Sequence, residues 1–219
     1  MKLWSDSFKD GSVIPGECAF CVIDPGAHVR LSDNRNPHLA WSDVPGNAKS
    51  LVLICHDRDV PSRGDDVNQE GKTVPADLPR VDFFHWVMID LPAGSSAFAA
   101  GQFSSQVSPR GKPGPEVPDC PGVRHGINDY TGWFAGDPDM AGDYFGYDGP
   151  CPPWNDAIEH RYVFTLYALD LARLPVEDKF TGQQVRDAMR GHVLAEASLT
   201  GRYTLNPSLA QDAQRDSHD

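Results

Sequence analysis

Long apolar runs are missing from this sequence. No stretch approaches the ~18 residues that a membrane-crossing helix needs. The start, Met1-Lys2-Leu3-Trp4-Ser5-Asp6-Ser7, has neither a basic and apolar leader nor a cleavage site. Stable membrane insertion and export are therefore not expected, and a cytoplasmic location is. Positive charge is scarce as well: 19 Lys and Arg face 31 Asp and Glu, for a formal net charge of -12. Such a surface repels phosphate backbones and anionic leaflets at long range, which removes nucleic acid and bulk membrane as partners but leaves local capture of a small anion open. No Gly-x-Ser-x-Gly elbow, P-loop or dinucleotide fingerprint occurs, so esterase, NTPase and Rossmann readings have no local support, and no cofactor is expected. Cysteine is sparse and odd in number, with Cys18, Cys21, Cys55, Cys120 and Cys151 scattered along the chain, which fits a reducing compartment. Cys18-Ala19-Phe20-Cys21 has redox-motif spacing but lies in a short strand between turns, where residues three apart face opposite sides.

Three apolar runs stand out, at 51–55, 81–91 and 161–171. They are continuous rather than alternating, which places their strands with both faces buried, in a sandwich or under helices. Cys55 belongs to the first as a small hydrophobe. The turn cluster Trp41 to Ser50 separates His38-Leu39-Ala40-Trp41 from Leu51–Cys55 and suggests an antiparallel pair. One helix is expected. Thr181 and Gln184 fit a capping box, and Val185, Ala188, Met189, His192, Val193 and Glu196 follow a helical stripe; on that stripe His192 reads as a satisfied, partly buried residue. Residues 101–153 carry many Gly, Pro, Asp and aromatic residues without a period, the pattern of an ordered flap. Within it, Asp137, Asp139 and Asp143 read as turn chemistry rather than a calcium loop, and His125 reads as solvated. The length suits one domain, expected over 1–206, with a polar tail at 207–219.

Polar groups gather where the apolar runs end. Asp57 and Asp59 follow the first run, His85 sits inside the second, His160 opens the third, and Gly149-Pro150-Cys151-Pro152-Pro153 forms a stiff loop ahead of it. Rigid strands with polar groups at their ends are how folds build sites. Taken alone, the two acids would cap turns, and each histidine would be a core residue. Taken together they allow an acid/base cluster or, with His85, His160 and one Asp, a 2-His-1-carboxylate metal set; short-range ligand spacing is absent, so no metal is expected.

In Asp57-Arg58-Asp59-Val60-Pro61-Ser62, Phe84-His85-Trp86-Val87, Arg124-x-Gly126-x-Asn128-Asp129-Tyr130, Tyr147-x-Gly149-Pro150-Cys151-Pro152-Pro153, His160-Arg161-Tyr162-Val163-Phe164, and His192-Val193-Leu194-Ala195 with Gly201-Arg202-Tyr203, the chain resembles the phosphatidylethanolamine-binding proteins, in particular their bacterial Raf-kinase-inhibitor-like branch. Six ordered matches span nearly the whole sequence. Arg58 departs from the proline often found between the two acids, and the stretch from Trp133 to Phe145 looks inserted relative to shorter bacterial relatives. The resemblance implies a mainly β fold, an antiparallel Greek-key sandwich with a few peripheral helices. It also implies a shallow pocket for phosphate or a phospho-headgroup, lined by Asp57, Asp59, His85, Gly149, Pro150, His160 and Tyr162, with no catalytic residue. On this reading the acids orient the histidines, both histidines offer N–H donors to the anion, and affinity rises as pH falls through ~6.5. A homodimer and a protein partner such as a kinase or protease are further implications. The competing expectation is a phosphoester hydrolase built on the same Asp/His cluster, with or without a metal.

Overall fold

In chain order the strands are β1 (Lys2–Trp4), β2 (Cys21–Asp24), β3 (His28–Leu31), β4 (Leu39–Ser42), β5 (Ser50–Pro61), β6 (Arg80–Pro92), β7 (Ala97–Phe98), β8 (Arg124–His125), β9 (His160–Leu169) and β10 (Val193–Tyr203), with helices α1 (Tyr130–Trp133) and α2 (Gly182–Ala188). They are seen in a computed structural model that describes residues 1–210. The long runs form the middle of a five-stranded antiparallel sheet, ordered β10-β9-β5-β6-β8, against which lie a three-stranded sheet β1-β4-β7 and the hairpin β2-β3. The mainly β, antiparallel fold is the one expected. Among the described residues no helix is long and apolar enough to cross a membrane.

The central strands are buried on both faces, for the reason their continuous apolarity implies. Leu51, Leu53 and Cys55 join Trp86, Met88, Phe164 and Leu166 in the larger core cluster. Val52 and Ile54 point the other way and pack with Val87, Ile89 and Leu169 under Val185 of α2 and Met189 at its C-terminal cap. Each fully buried Leu, Ile or Phe contributes about 2 kcal/mol of apolar burial, so both layers fasten the sheet that carries the site.

Several local expectations are corrected. β4 does not pair with β5: its partners are β1 and β7, because both edges of β5 are taken by β6 and β9. The capping box at Thr181 and Gln184 is present, but α2 stops at Ala188 and the stretch holding Val193 and Glu196 is strand β10. Gly191, at φ 79°, supplies the left-handed turn between them, and pairing with β9 outweighs the helical stripe. His192 is half exposed and meets Asp170 at 2.9 Å. His125 is buried, not solvated: it accepts from Trp86 Nε1 at 3.3 Å, and burial pushes its pKa down to about 3. Cys18 and Cys21 do not share a strand, and Cys21 is disulfide-bonded to Cys151, 130 residues away. Short-range spacing carried no sign of that pair. The tail begins with a helical turn at 207–210, and its remainder lies outside the described residues.

Candidate functional site

Two-residue alternation along β9 puts His160 and Tyr162 on one face of the sheet, and Asp57 of β5 stands opposite Tyr162. On β6 the register slips: Cys55 opposes Trp86 while His56 opposes Phe84, so His85 is the extra residue of a bulge. The slip leaves Phe83 and His85 turned toward the same face as Asp57, while Phe84 packs on the opposite face with α2. A further irregularity, between Asp57 and Val60, interrupts the ladder where the acids lie before pairing resumes at Val60 and Val81.

At the His160 corner every polar atom is spoken for. His160 Nδ1 meets Asp57 Oδ2 at 2.6 Å and its Nε2 meets Asp156 Oδ2 at 3.0 Å. Asp57 Oδ1 also accepts the Asp59 N–H at 2.8 Å, and Asp156 accepts two bonds from the Arg80 guanidinium, at 2.6 and 3.0 Å. All three of Asp57, Asp156 and His160 are buried. Burial opposes charge on the imidazole, but Asp57 and Asp156 outweigh it and hold its pKa up to about 9. The chain Arg80, Asp156, His160, Asp57 thus alternates in sign and sums to zero. Asp59 is tied off separately by Arg161, which donates from its backbone and twice from its guanidinium at 2.6–2.9 Å. Burial raises the pKa of Asp59, and Arg161 more than reverses this.

The neighbouring corner is unsaturated. His85 Nδ1 donates to the Asp148 carbonyl at 2.7 Å, and the Asp148 N–H returns a bond to the His85 carbonyl at 3.0 Å. That fixes the ring and leaves Nε2 without a partner among the described residues. Burial pushes the His85 pKa down against the pull of Asp57 and Asp148, so the neutral ring is favoured. Tyr162 stands edge-on to His85 with ring centroids 5.1 Å apart, and its buried hydroxyl has no hydrogen-bond partner. Underneath, Asp148 is buried among Asn34, Asn128 and Lys112, with contacts of 2.7–2.9 Å. This cluster holds the Gly149–Pro153 loop in place.

A cavity of about 550 Å³ opens above these corners, within the usual range of small-molecule pockets. Of the residues expected at the site, Asp57, His85, His160 and Tyr162 line it. Asp59, Gly149 and Pro150 stand behind the wall instead. A Cβ on Gly149 would collide with the Cys18 carbonyl, so close backbone packing, not ligand approach, demands glycine there. The Pro150 carbonyl accepts from Phe20 and Cys21 at 2.9 and 3.2 Å, pinning the loop to β2, and the Cys21–Cys151 disulfide fastens it at the next residue. Cys151, Pro152 and Pro153 are the loop residues that face the cavity. Both nitrogens of His160 are occupied, so it is not the N–H donor toward a ligand that the sequence suggested. Asp156, Arg80, Asp148 and Tyr130 were missed. Asp156 lies four residues before His160, but Trp154-Asn155-Asp156 reads like any turn.

The sequence model of the phosphatidylethanolamine-binding proteins matches residues 4–204. The chain belongs to the phosphatidylethanolamine-binding protein family. Similar proteins include the UPF0098 protein YbhB of Escherichia coli, 31% identical over 93% of this chain and 100% of that one. Another is a UPF0098 protein of Chlamydia muridarum, 36% identical over 93% and 98%. Among solved structures, a protein described as a homolog of this family from Chlamydia trachomatis superposes with a TM-score of 0.59 at 30% identity, over 92% of this chain and 95% of that one. The Escherichia coli protein YbcL, at a TM-score of 0.63 and 22% identity over 93% and 97%, shares the fold. Family membership makes this a ligand-binding protein, and of the buried side-chain atoms left unpartnered among the described residues, on Arg35, His56, Glu159 and Tyr162, the Tyr162 hydroxyl belongs to a residue that lines the cavity.

Proposed function

We propose that this protein is a non-enzymatic binding module that holds a small molecule by an anionic head, a phosphate or phospho-headgroup, set against His85 and Tyr162. The observation that carries this reading is the pairing of an open His85 Nε2 with an unpartnered, buried Tyr162 hydroxyl at the foot of the cavity. Two nearby carboxylates do not forbid an anion. Asp57 is already balanced by His160 and Asp156 by Arg80, so little net negative charge faces the ligand. Tyr162 donates its O–H, and His85 donates from Nε2 once protonated. Binding therefore draws a proton onto His85.

The sign of the pH dependence follows from that step. Burial lowers the His85 pKa in the free protein, so the imidazolium that welcomes an anion grows as pH falls below the ordinary histidine range. Affinity for phosphate should rise steadily from about pH 8 to about pH 6 and keep rising below it, with proton uptake visible in buffers of different ionisation enthalpy. His160, held charged up to about 9, contributes nothing to this slope. Isothermal titration of inorganic phosphate and phosphoethanolamine measures it; a flat profile, or no heat in either titration, rules the reading out. Hydrolysis by the same cluster is disfavoured by geometry. Acid/base work needs groups free to exchange protons with the substrate, and Asp57, Asp156 and His160 are all committed to one another.

A further inference from the structure

The polar foot of the cavity is small compared with its 550 Å³, and a phosphate group fills only a minor part of that space. The remainder is bounded chiefly by rings. Phe20 and Tyr130 stack at 4.7 Å, Tyr130 and Phe134 stack at 5.5 Å, and Phe83 meets Tyr130 edge-on at 5.3 Å. This wall runs directly into the foot, because His85 stands edge-on to Tyr130 at 5.5 Å and to Tyr162 at 5.1 Å. Of the residues lining the cavity, Trp133 is 58% exposed and Leu31 57%, large apolar side chains left uncovered. Apolar surface of this kind around a concavity marks a binding site.

We propose that the cavity holds a flat aromatic group of its ligand against Phe20, Phe83, Tyr130, Trp133, Phe134 and Met140, making the ligand class an aromatic phosphate or similar aryl anion. The inference rests on the anion-binding reading above and adds the chemistry of the rest of the molecule. Ring edges and faces on the wall favour a ring as guest, since aromatic pairs gain from edge-to-face and offset contacts beyond area alone. A flexible alkyl chain of equal area gains no such contacts and surrenders rotamer freedom on binding. Charge is arranged to match: the anion meets His85 and Tyr162 at the foot, while Arg63 is the Lys or Arg side chain that lines the mouth.

The test is a titration series with inorganic phosphate, phenyl phosphate and pentyl phosphate against the wild-type protein and the variants Trp133→Ala, Phe134→Ala and Met140→Ala. Phenyl phosphate should bind at least ~10-fold tighter than inorganic phosphate, the scale of burying one ring, and tighter than pentyl phosphate. Each variant should shrink the phenyl advantage several-fold while leaving the affinity for inorganic phosphate unchanged. Trp133 stands exposed on the flap, so Trp133→Ala keeps the test open should Phe134→Ala or Met140→Ala fail to fold. Equal binding of phenyl and inorganic phosphate, or of phenyl and pentyl phosphate, overturns the aromatic assignment and leaves the anion site standing. Absence of binding by all three phosphates overturns the anion site itself, and the aromatic assignment with it.

Discussion

The two histidine corners of the cavity share a sheet, a face and a depth, yet differ in one respect: the His160 corner has no polar atom to spare, and the His85–Tyr162 corner has two. At His160 the charges alternate from Arg80 through Asp156 and the imidazole to Asp57, each carboxylate accepting from both sides. Such a network is expensive to break and offers a ligand little. At His85 only Nδ1 is committed, and the Tyr162 hydroxyl is buried without a partner. Saturated buried polarity holds the pocket's shape; unsaturated buried polarity is what a ligand can satisfy.

The comparison breaks most visibly at Asp156. Replacing it with alanine strands the part-buried Arg80 and half of the buried His160, and should cost about 3 kcal/mol, the low end of the penalty for opening a buried ion pair. Urea denaturation reads this, and a loss below about 1 kcal/mol would mean the corner is not the rigid element it looks to be. His85→Ala should act the other way round: a modest stability loss of roughly 1–2 kcal/mol with phosphate binding weakened more than ~10-fold.

The pH response of folding separates the corners further. The folded pKa of His160, about 9, lies above the ordinary histidine value of about 6.5. Its contribution is therefore fully present below ~6.5 and is lost as pH rises through about 9. Urea midpoints should fall across that window in the wild type. Histidine at position 160 is the source, so His160→Gln should flatten the fall; a wild-type midpoint that holds steady contradicts the clamped imidazolium. The smallest effect belongs to Tyr162→Phe. Removing an unpaired buried hydroxyl should leave stability unchanged or raise it by up to about 1 kcal/mol, yet reduce phosphate affinity several-fold.

Much of the site was legible from residues alone because strands report themselves. The run leading into Asp57, the one holding His85 and the one opened by His160 marked which side chains would emerge from rigid backbone, while Tyr162 entered through the family resemblance. Groups that support those side chains come from irregular chain, where type and spacing carry little information. Asp156 is one acid among 31 acidic residues, and only its position between Arg80 and His160 sets it apart. Gly149 and Pro150 were assigned to the pocket on composition, but the glycine is required by the Cys18 backbone and the proline carbonyl by β2. The helical stripe past Ala188 misled for a different reason: periodicity is a local signal, and the edge of β9 was a stronger partner for residues 193–203 than a longer helix was for the core.

By itself the sequence determined the antiparallel core, the family and the chemical types that meet at the cavity, since continuous apolar runs and their polar ends are local properties that burial enforces. Tertiary structure alone decided which histidine is closed and which is open. That distinction depends on what reaches each ring nitrogen from Asp57, Asp148 and Asp156, contacts made across 103, 63 and 4 residues. A side chain's protonation and availability are set by those neighbours in space, and no spacing along the chain encodes them.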